Sequence, residues 1–459
     1  MIFRTINPAT EEIIAEYQSE SIESIDSKIK ATHLAFKKWQ AVPFVERAKL
    51  MRNAAKVLLE NKTKYARQMA IEMGKPLAQG LSETEKCAWV CNYYADNAEA
   101  QLTDEIIPTE MAKSYVTFNP LGIVLAVMPW NFPFWQVFRF AAPALMAGNA
   151  GMLKHSRNTI GCAIEIENVF REAGFPENLF TNFVISHEEV KQKSKFIIEH
   201  PLVSAVTLTG SNFVGAWVAE TAGRMIKKTV MELGGSDPYI ILPDADLETA
   251  TQSCATGRLI NSGQSCIAAK RFIVHESIHE KFIEMLISKM SAFKVGNPLD
   301  DGVLVGPMAR KDLQVGLHEQ VMKSIQLGAK SMIGCSLPDG PGYFYPVSVL
   351  TNIKPGMPAF DEETFGPVAA VISYKTEEEA IELANNHIYG LGAAVFTRDI
   401  HRGEYIAKNL IQSGTVQVND FVRSDPRLPF GGIKQSGYGR ELSSFGIKEF
   451  VNVKTVCIM

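Results

Sequence analysis

No uncharged apolar run in this 459-residue chain is long enough to cross a bilayer, since the most apolar stretch, Leu121 to Trp135, is interrupted by Pro129 and Pro133. Its opening, "MIFRTINPAT", lacks the basic segment and apolar segment of a secretory leader, so a cytoplasmic protein is expected. Neither sign of charge is in excess: 46 Lys and Arg stand against 50 Asp and Glu, a net charge of −4, which argues against a nucleic-acid or anionic-membrane partner. There is no paired-cysteine framework. The seven cysteines are an odd, scattered set that reads as reduced thiols, and Cys87 and Cys91 have no second ligand pair nearby, so no metal site is expected. Pro-, Ser- or Gly-rich tracts are missing too, and 46% of residues are hydrophobic, enough for two or three packed lobes.

What is present is alternation. Residues 22 to 100 have apolar positions at three- and four-residue spacing, ended at Gly74 and Pro76 in one segment, and read as helical scaffold. From residue 121, short apolar runs such as "GIVLAVMP", "GMLK", "SAVTLTG" and "KKTVMELGG" alternate with helical segments, predicting a parallel sheet covered on both faces. A second series runs from "DPYIIL" through "KRFIVH", "PVAAVISY", "GAAVFTR" and "GTVQVN". The fold class is therefore α/β with two Rossmann-like parallel-sheet lobes, 1–110 with 121–234 and then 235–428, divided near Gly234 and Gly235. Two alternating segments, "SYVTFNP" and "KEFVNVKTVCIM", have no partner in either series; spans 111–120 and 442–459 are expected to form a small β arm that pairs with another subunit.

Several residues could carry chemistry. In "TLTGSNFVG", Gly210 and Gly215 flank a strand-to-helix turn whose amides could hold a pyrophosphate, or could simply make the turn. Asn131 in "PWNFPFW" could donate to an oxyanion or satisfy a turn carbonyl. Lys154, at another strand end, could meet phosphate or ribose oxygens or only water. Glu232 in "MELGG" could be a desolvated general base or half of a buried ion pair. Cys266 in "NSGQSC" could be a nucleophile or a small buried apolar residue.

Taken together, "PWNFP", "TLTGS", "MELGG", "GQSC", "EETFGP" and "PFGGIKQSGYGRE" occur in an order and at intervals by which the chain resembles the aldehyde dehydrogenase superfamily over nearly its whole length. The resemblance implies a homodimer or homotetramer that oxidises a small-molecule aldehyde with NADP or NAD, with 1–110 and 121–234 as the cofactor-binding domain and 235–428 as the catalytic domain. It implies Cys266 as nucleophile, Glu232 as general base, and Asn131 with the Cys266 amide as oxyanion donors. Trp130, Lys154, Ser156, Arg157, Gly210, Ser211, Gly215, Leu233, Glu363 and Phe365 are then expected around the cofactor. Arg157 stands where many NAD-preferring relatives have a glutamate, and with His155 and Ser156 it could receive a 2′-phosphate.

Within the superfamily the chain looks most like bacterial succinate-semialdehyde dehydrogenases. Arg139, eight residues past Asn131, and Ser424 in "RSDPR" are expected at the distal carboxylate of such a substrate. A second arginine found in some of these enzymes is absent, its position being Ile260, and Arg258, Arg423 or Arg427 could compensate. Glutarate semialdehyde or another polar aldehyde remains the alternative substrate, and a non-catalytic protein on the same fold the alternative class. Ser265 and Ile267 flank Cys266, so no local disulfide is expected.

Overall fold

The computed structural model describes residues 1–459. Its first sheet has six strands in the spatial order Gly437–Tyr438, Lys228–Glu232, Val203–Thr209, Ile123–Val127, Ala150–Lys154 and Phe180–Phe183, all parallel except the first pairing. Every residue of Ile123–Val127 is buried, as a parallel strand with helices on both faces requires. Four helices, Ile22–Trp39, Phe44–Glu60, Lys62–Met73 and Leu77–Gln101, form the expected scaffold. The third stops at Gly74, which takes a left-handed conformation and sits against Pro307.

A second, seven-stranded sheet is built from Lys330–Ile333, Ser348–Thr351, Val368–Tyr374, Ala269–His275, Asp237–Ile241, Gly392–Phe396 and Thr415–Val418 in spatial order, and only Lys330–Ile333 runs antiparallel to its neighbour. Its core divides with the two-residue period of a strand. Ile240, Ile273 and Ile372 pack in one cluster, whereas Tyr239, Ile241, Phe272 and Val274 pack in another. The last parallel strand of the first sheet ends at Glu232, and Gly234 and Gly235 lie between it and Asp237–Ile241 of the second sheet. Both glycines fill tight places: a Cβ would come within 2.7 Å of Glu363 Oε2 at Gly234 and 2.5 Å of the Cys266 carbonyl at Gly235.

The two segments left without partners pair with each other. Val451–Ile458 runs antiparallel to Lys113–Pro120 over eight residue pairs, and Glu105–Ile106 adds a short third strand. The ladder closes within one chain, so the two spans form one ribbon. Residues on the way to this strand return to the first lobe, where Phe430, Leu442, Ile447 and Phe450 join the core of the first sheet. The hairpin of Ile2–Ile6 and Ile13–Gln18 was not anticipated. No helix is long and apolar enough to cross a membrane.

Candidate active site

The helix Leu247–Leu259 ends just before three consecutive residues with left-handed backbone: Asn261 at φ 54°, Ser262 at φ 56° and Gly263 at φ 74°. Two of the three carry a Cβ, so the turn needs outside support. Asn261 Nδ2 donates to the Asn131 carbonyl at 2.7 Å and to the Gln264 carbonyl at 3.0 Å, and Gln264 Oε1 accepts the Ala309 N–H at 2.9 Å. A side chain at Gly263 would meet the Gly366 carbonyl at 2.1 Å, so only glycine fits. Beyond the turn, buried Lys270 donates to the carbonyls of Ser265 at 2.9 Å and Cys266 at 2.8 Å and faces Glu363 Oε1 at 3.5 Å. Cys266 is thereby held half-buried at the start of the strand Ala269–His275.

Burial pushes the Cys266 thiol up to about 12, against the pull of the Arg139 and Lys270 charges. The thiol therefore needs a proton acceptor before it can attack. Asn131 is 4% exposed, and its Nδ2 donates to the Gln264 carbonyl at 3.2 Å with one N–H to spare, next to the cysteine loop. Glu232, 2% exposed, has neither carboxyl oxygen hydrogen-bonded. Burial raises its carboxyl well above the usual range, and the nearby Glu441 charge raises it further, so it binds a proton more tightly than an ordinary glutamate. A thiol, an amide donor and a desolvated carboxyl can add a nucleophile to a carbonyl, stabilise the resulting oxyanion and activate water.

Cys266 and Asn131 open onto a cavity of about 730 Å³, whose walls also include Trp130, Lys154, Ser156, Arg157, Gly210, Ser211, Leu233, Glu363 and Phe365. The helix Asn212–Arg224 begins at this cavity, and Ser211 makes no side-chain cap, leaving its first amides free for an anion. Neither Lys154 nor Arg157 has a carboxylate within ion-pair distance; burial, with the Arg157 charge beside it, lowers Lys154 to about 8. Two unanswered cations beside open helix amides fit the phosphates of a dinucleotide. Gly215 is different. It lies off the cavity, and a Cβ there would strike Leu233 at 2.4 Å, so it lets the helix pack on the next strand rather than touch a cofactor. His155 is likewise unavailable to a phosphate: Nε2 bonds the Pro133 carbonyl at 3.0 Å, while Nδ1 meets Ser156 and Thr159, each at 2.8 Å.

On the substrate side the structure revises the arginine assignments. Arg139, on the helix Trp135–Met146, is 2% exposed, forms an ion pair with Glu441, donates to Thr209 Oγ1 at 3.3 Å and lies 4.8 Å from the Phe430 ring centre. Its charge is already answered, so a substrate carboxylate would have to compete with Glu441. Arg258 donates through Nη2 to the carbonyls of Gly263 and Thr364 and keeps Nε and Nη1 buried without partners, while Arg423 and Arg427 pair with Asp420 and Asp425. Ser424 Oγ accepts from Lys86 Nζ at 2.8 Å. Motif reading did not single out Glu441, Lys270 and Lys86, which contact Arg139, the Ser265 and Cys266 carbonyls, and Ser424. Glu441 sits within "GYGRE", but only the fold brings it to Arg139.

The sequence matches the aldehyde dehydrogenase family over residues 1–456. It is 44% identical, over the full length of both chains, to a Synechocystis protein named probable succinate-semialdehyde dehydrogenase (NADP+). It is also 44% identical, again with full coverage of both, to succinate-semialdehyde dehydrogenase (NADP+) 1 of Mycobacterium tuberculosis. The fold superimposes on the succinic semialdehyde dehydrogenase of Streptococcus pyogenes in complex with NADP+ with a TM-score of 0.96, 35% identity and 99% of each chain covered.

Proposed function

Because the chain belongs to the aldehyde dehydrogenase family, we propose that it oxidises succinate semialdehyde to succinate, with NADP+ as preferred hydride acceptor and NAD+ as the weaker one. The observation that carries this reading is one cavity lined both by Cys266 with Asn131 and by the unpaired cations Lys154 and Arg157. The substrate and the NADP+ preference gain support from the names of the similar bacterial proteins, and the preference also from Arg157, whose guanidinium favours a 2′-phosphate.

Cys266 passes its proton to Glu232, which releases it to solvent, and the sulfur bonds to the aldehyde carbon, giving a hemithioacetal. The new oxyanion takes hydrogen bonds from Asn131 Nδ2 and the Cys266 N–H. Bound NADP+ would supply the acceptor for the hydride that leaves this carbon, and Lys154, Ser156, Arg157, Gly210, Ser211, Glu363, Trp130, Phe365 and Leu233 would hold it. The carbon–oxygen double bond reforms and leaves a thioester on Cys266. Glu232 takes a proton from water, which attacks the thioester; the acid departs and the thiol is restored. In this scheme 1–110 with 121–234 binds the cofactor and 235–428 carries the nucleophile. The ribbon of Lys113–Pro120 and Val451–Ile458, with Val453 and Ile458 exposed, joins subunits of a cytoplasmic homodimer or homotetramer.

Initial rates of reduced-cofactor formation by the wild-type protein test the reading, with succinate semialdehyde, glutarate semialdehyde and butanal, each with NADP+ and NAD+. Highest kcat/KM for succinate semialdehyde with NADP+ is expected. Preference for glutarate semialdehyde would replace the substrate, and preference for butanal would overturn the acid-aldehyde reading.

A further inference from the structure

The two donors of the oxyanion site come from loops far apart in sequence, and one helix face holds both loops. Gln79 and Glu83 stand four residues apart on the helix Leu77–Gln101 and so on the same side of it. Gln79 Oε1 accepts the Asn261 N–H at 2.6 Å, at the first left-handed residue before Cys266, while its Nε2 donates to the Leu304 carbonyl at 2.9 Å. Glu83 Oε1 accepts the N–H groups of Phe134 and Trp135, each at 2.9 Å, where the helix Trp135–Met146 starts without a side-chain cap of its own. Its other oxygen pairs with buried Lys75, whose ammonium lies 3.8 Å from the centre of the Phe132 ring, next in sequence to Asn131. The loops then lock to each other. Asn261 Nδ2 donates to the Asn131 carbonyl, and both it and Asn131 Nδ2 donate to the Gln264 carbonyl, two residues before Cys266.

Glu83 is buried with its partners, whereas Gln79 is half-buried and meets the nucleophile loop through one short contact, where left-handed backbone needs outside support. We propose that Gln79 is a positioning residue for the reaction: by pinning the Asn261 backbone it sets where the Asn131 amide stands relative to the Cys266 N–H, and so how closely the two meet an oxyanion. The inference deepens the cysteine reading above and rests on it. An oxyanion forms twice, when the thiolate adds to the aldehyde and when water adds to the thioester, so a misplaced donor slows both halves of the cycle. Gln79 does not line the cavity and acts only through Asn261.

Wild type, Gln79→Met and Gln79→Glu are compared by kcat for succinate semialdehyde and for butanal, by the rate at which iodoacetamide alkylates Cys266, and by melting temperature; Gln79→Met is also made in an Asn131→Ala background. Gln79→Met should lower kcat at least about tenfold with both aldehydes. Alkylation displaces iodide at a saturated carbon and builds no oxyanion, so its rate should stay within about twofold of wild type. Gln79→Glu keeps the acceptor for the Asn261 N–H and should retain most of the turnover. In the Asn131→Ala background Gln79→Met should cost little more, because the donor it places is gone. An unchanged kcat in Gln79→Met, or a loss that Gln79→Glu shares in full, overturns the role of Gln79 alone. So does a loss matched by alkylation or by melting temperature, or one repeated in full in the Asn131→Ala background, since each marks a structural contact. If Cys266→Ala turns over like wild type, the cysteine reading and this inference fall together.

Discussion

The two sides of Cys266 use positive charge in opposite ways. Toward the cavity, Lys154 and Arg157 lack carboxylate partners and lie open. Toward the substrate side, Arg139, Arg423 and Arg427 each have an acidic partner, and Lys86 is left over. A cation therefore becomes a binding group by what fails to meet it in the folded chain. Residue type and spacing alone would not tell Arg139 from Lys86; in the fold one is paired with Glu441 and the other bonds only Ser424.

The largest effect should come from the residue between the two sides. Cys266→Ala should lower turnover by at least about a thousandfold with every aldehyde and either cofactor, followed as reduced cofactor. Residual dehydrogenase activity near wild type would remove Cys266 from the chemistry and with it the division into two sides.

Breaking the committed pair should damage the fold more than it alters selectivity. Arg139→Met leaves Glu441 buried without its counter-ion and should cost roughly 3–5 kcal/mol in a denaturant titration. Arg139→Met combined with Glu441→Leu should recover much of that loss. A stable Arg139→Met protein that loses activity only with succinate semialdehyde would place the carboxylate at Arg139.

On the open side, Arg157→Glu should shift the NADP+ to NAD+ efficiency ratio by about tenfold or more toward NAD+, equivalent to about 1.4 kcal/mol, with little change in melting temperature. An unchanged ratio would mean that Arg157, though unpaired, reads nothing.

The smallest effect concerns Glu232. Its folded-state pKa is raised, so the folded chain binds a proton that the unfolded chain has released, and stability falls as pH rises from the ordinary carboxylate range toward the raised value. Glu232→Gln removes this penalty. The variant should melt above wild type at alkaline pH, the gap closing toward acid pH, while thioester hydrolysis slows and a burst of reduced cofactor precedes the steady state. A melting difference independent of pH would mean that Glu232 does not titrate in that interval.

Much of this architecture could be read in the chain because its signals are local. Continuous apolar runs between helical segments announced both sheets, and "NSGQSC" marked a tight turn before a strand. What stayed hidden depends on residues far apart in sequence. The spans around Lys113–Pro120 and Val451–Ile458 could be grouped as one arm, but their antiparallel register could not, because strand pairing leaves no local trace. Gly215 matched a phosphate-turn pattern, yet its use is the close approach of Leu233, a contact visible only across the helix–strand interface. Lys86 sat in a segment read as scaffold, and its contacts with Ser424 and Trp135 are visible only in the fold.

The return of the last residues to the first lobe has a consequence for synthesis. Gly437–Tyr438 forms the edge beside Lys228–Glu232, Tyr94 Oη donates to the Ser443 carbonyl at 3.0 Å, and Asn149 Nδ2 donates to that of Phe450 at 3.0 Å. The lobe that leaves the ribosome first is thus completed last. Until the C-terminal segment arrives, the nascent chain has an unpaired strand edge at Glu232 and a buried arginine without its counter-ion, both invitations to mispairing. Folding of the first lobe then waits on contacts of very long sequence separation, and chain completion becomes the step that closes it.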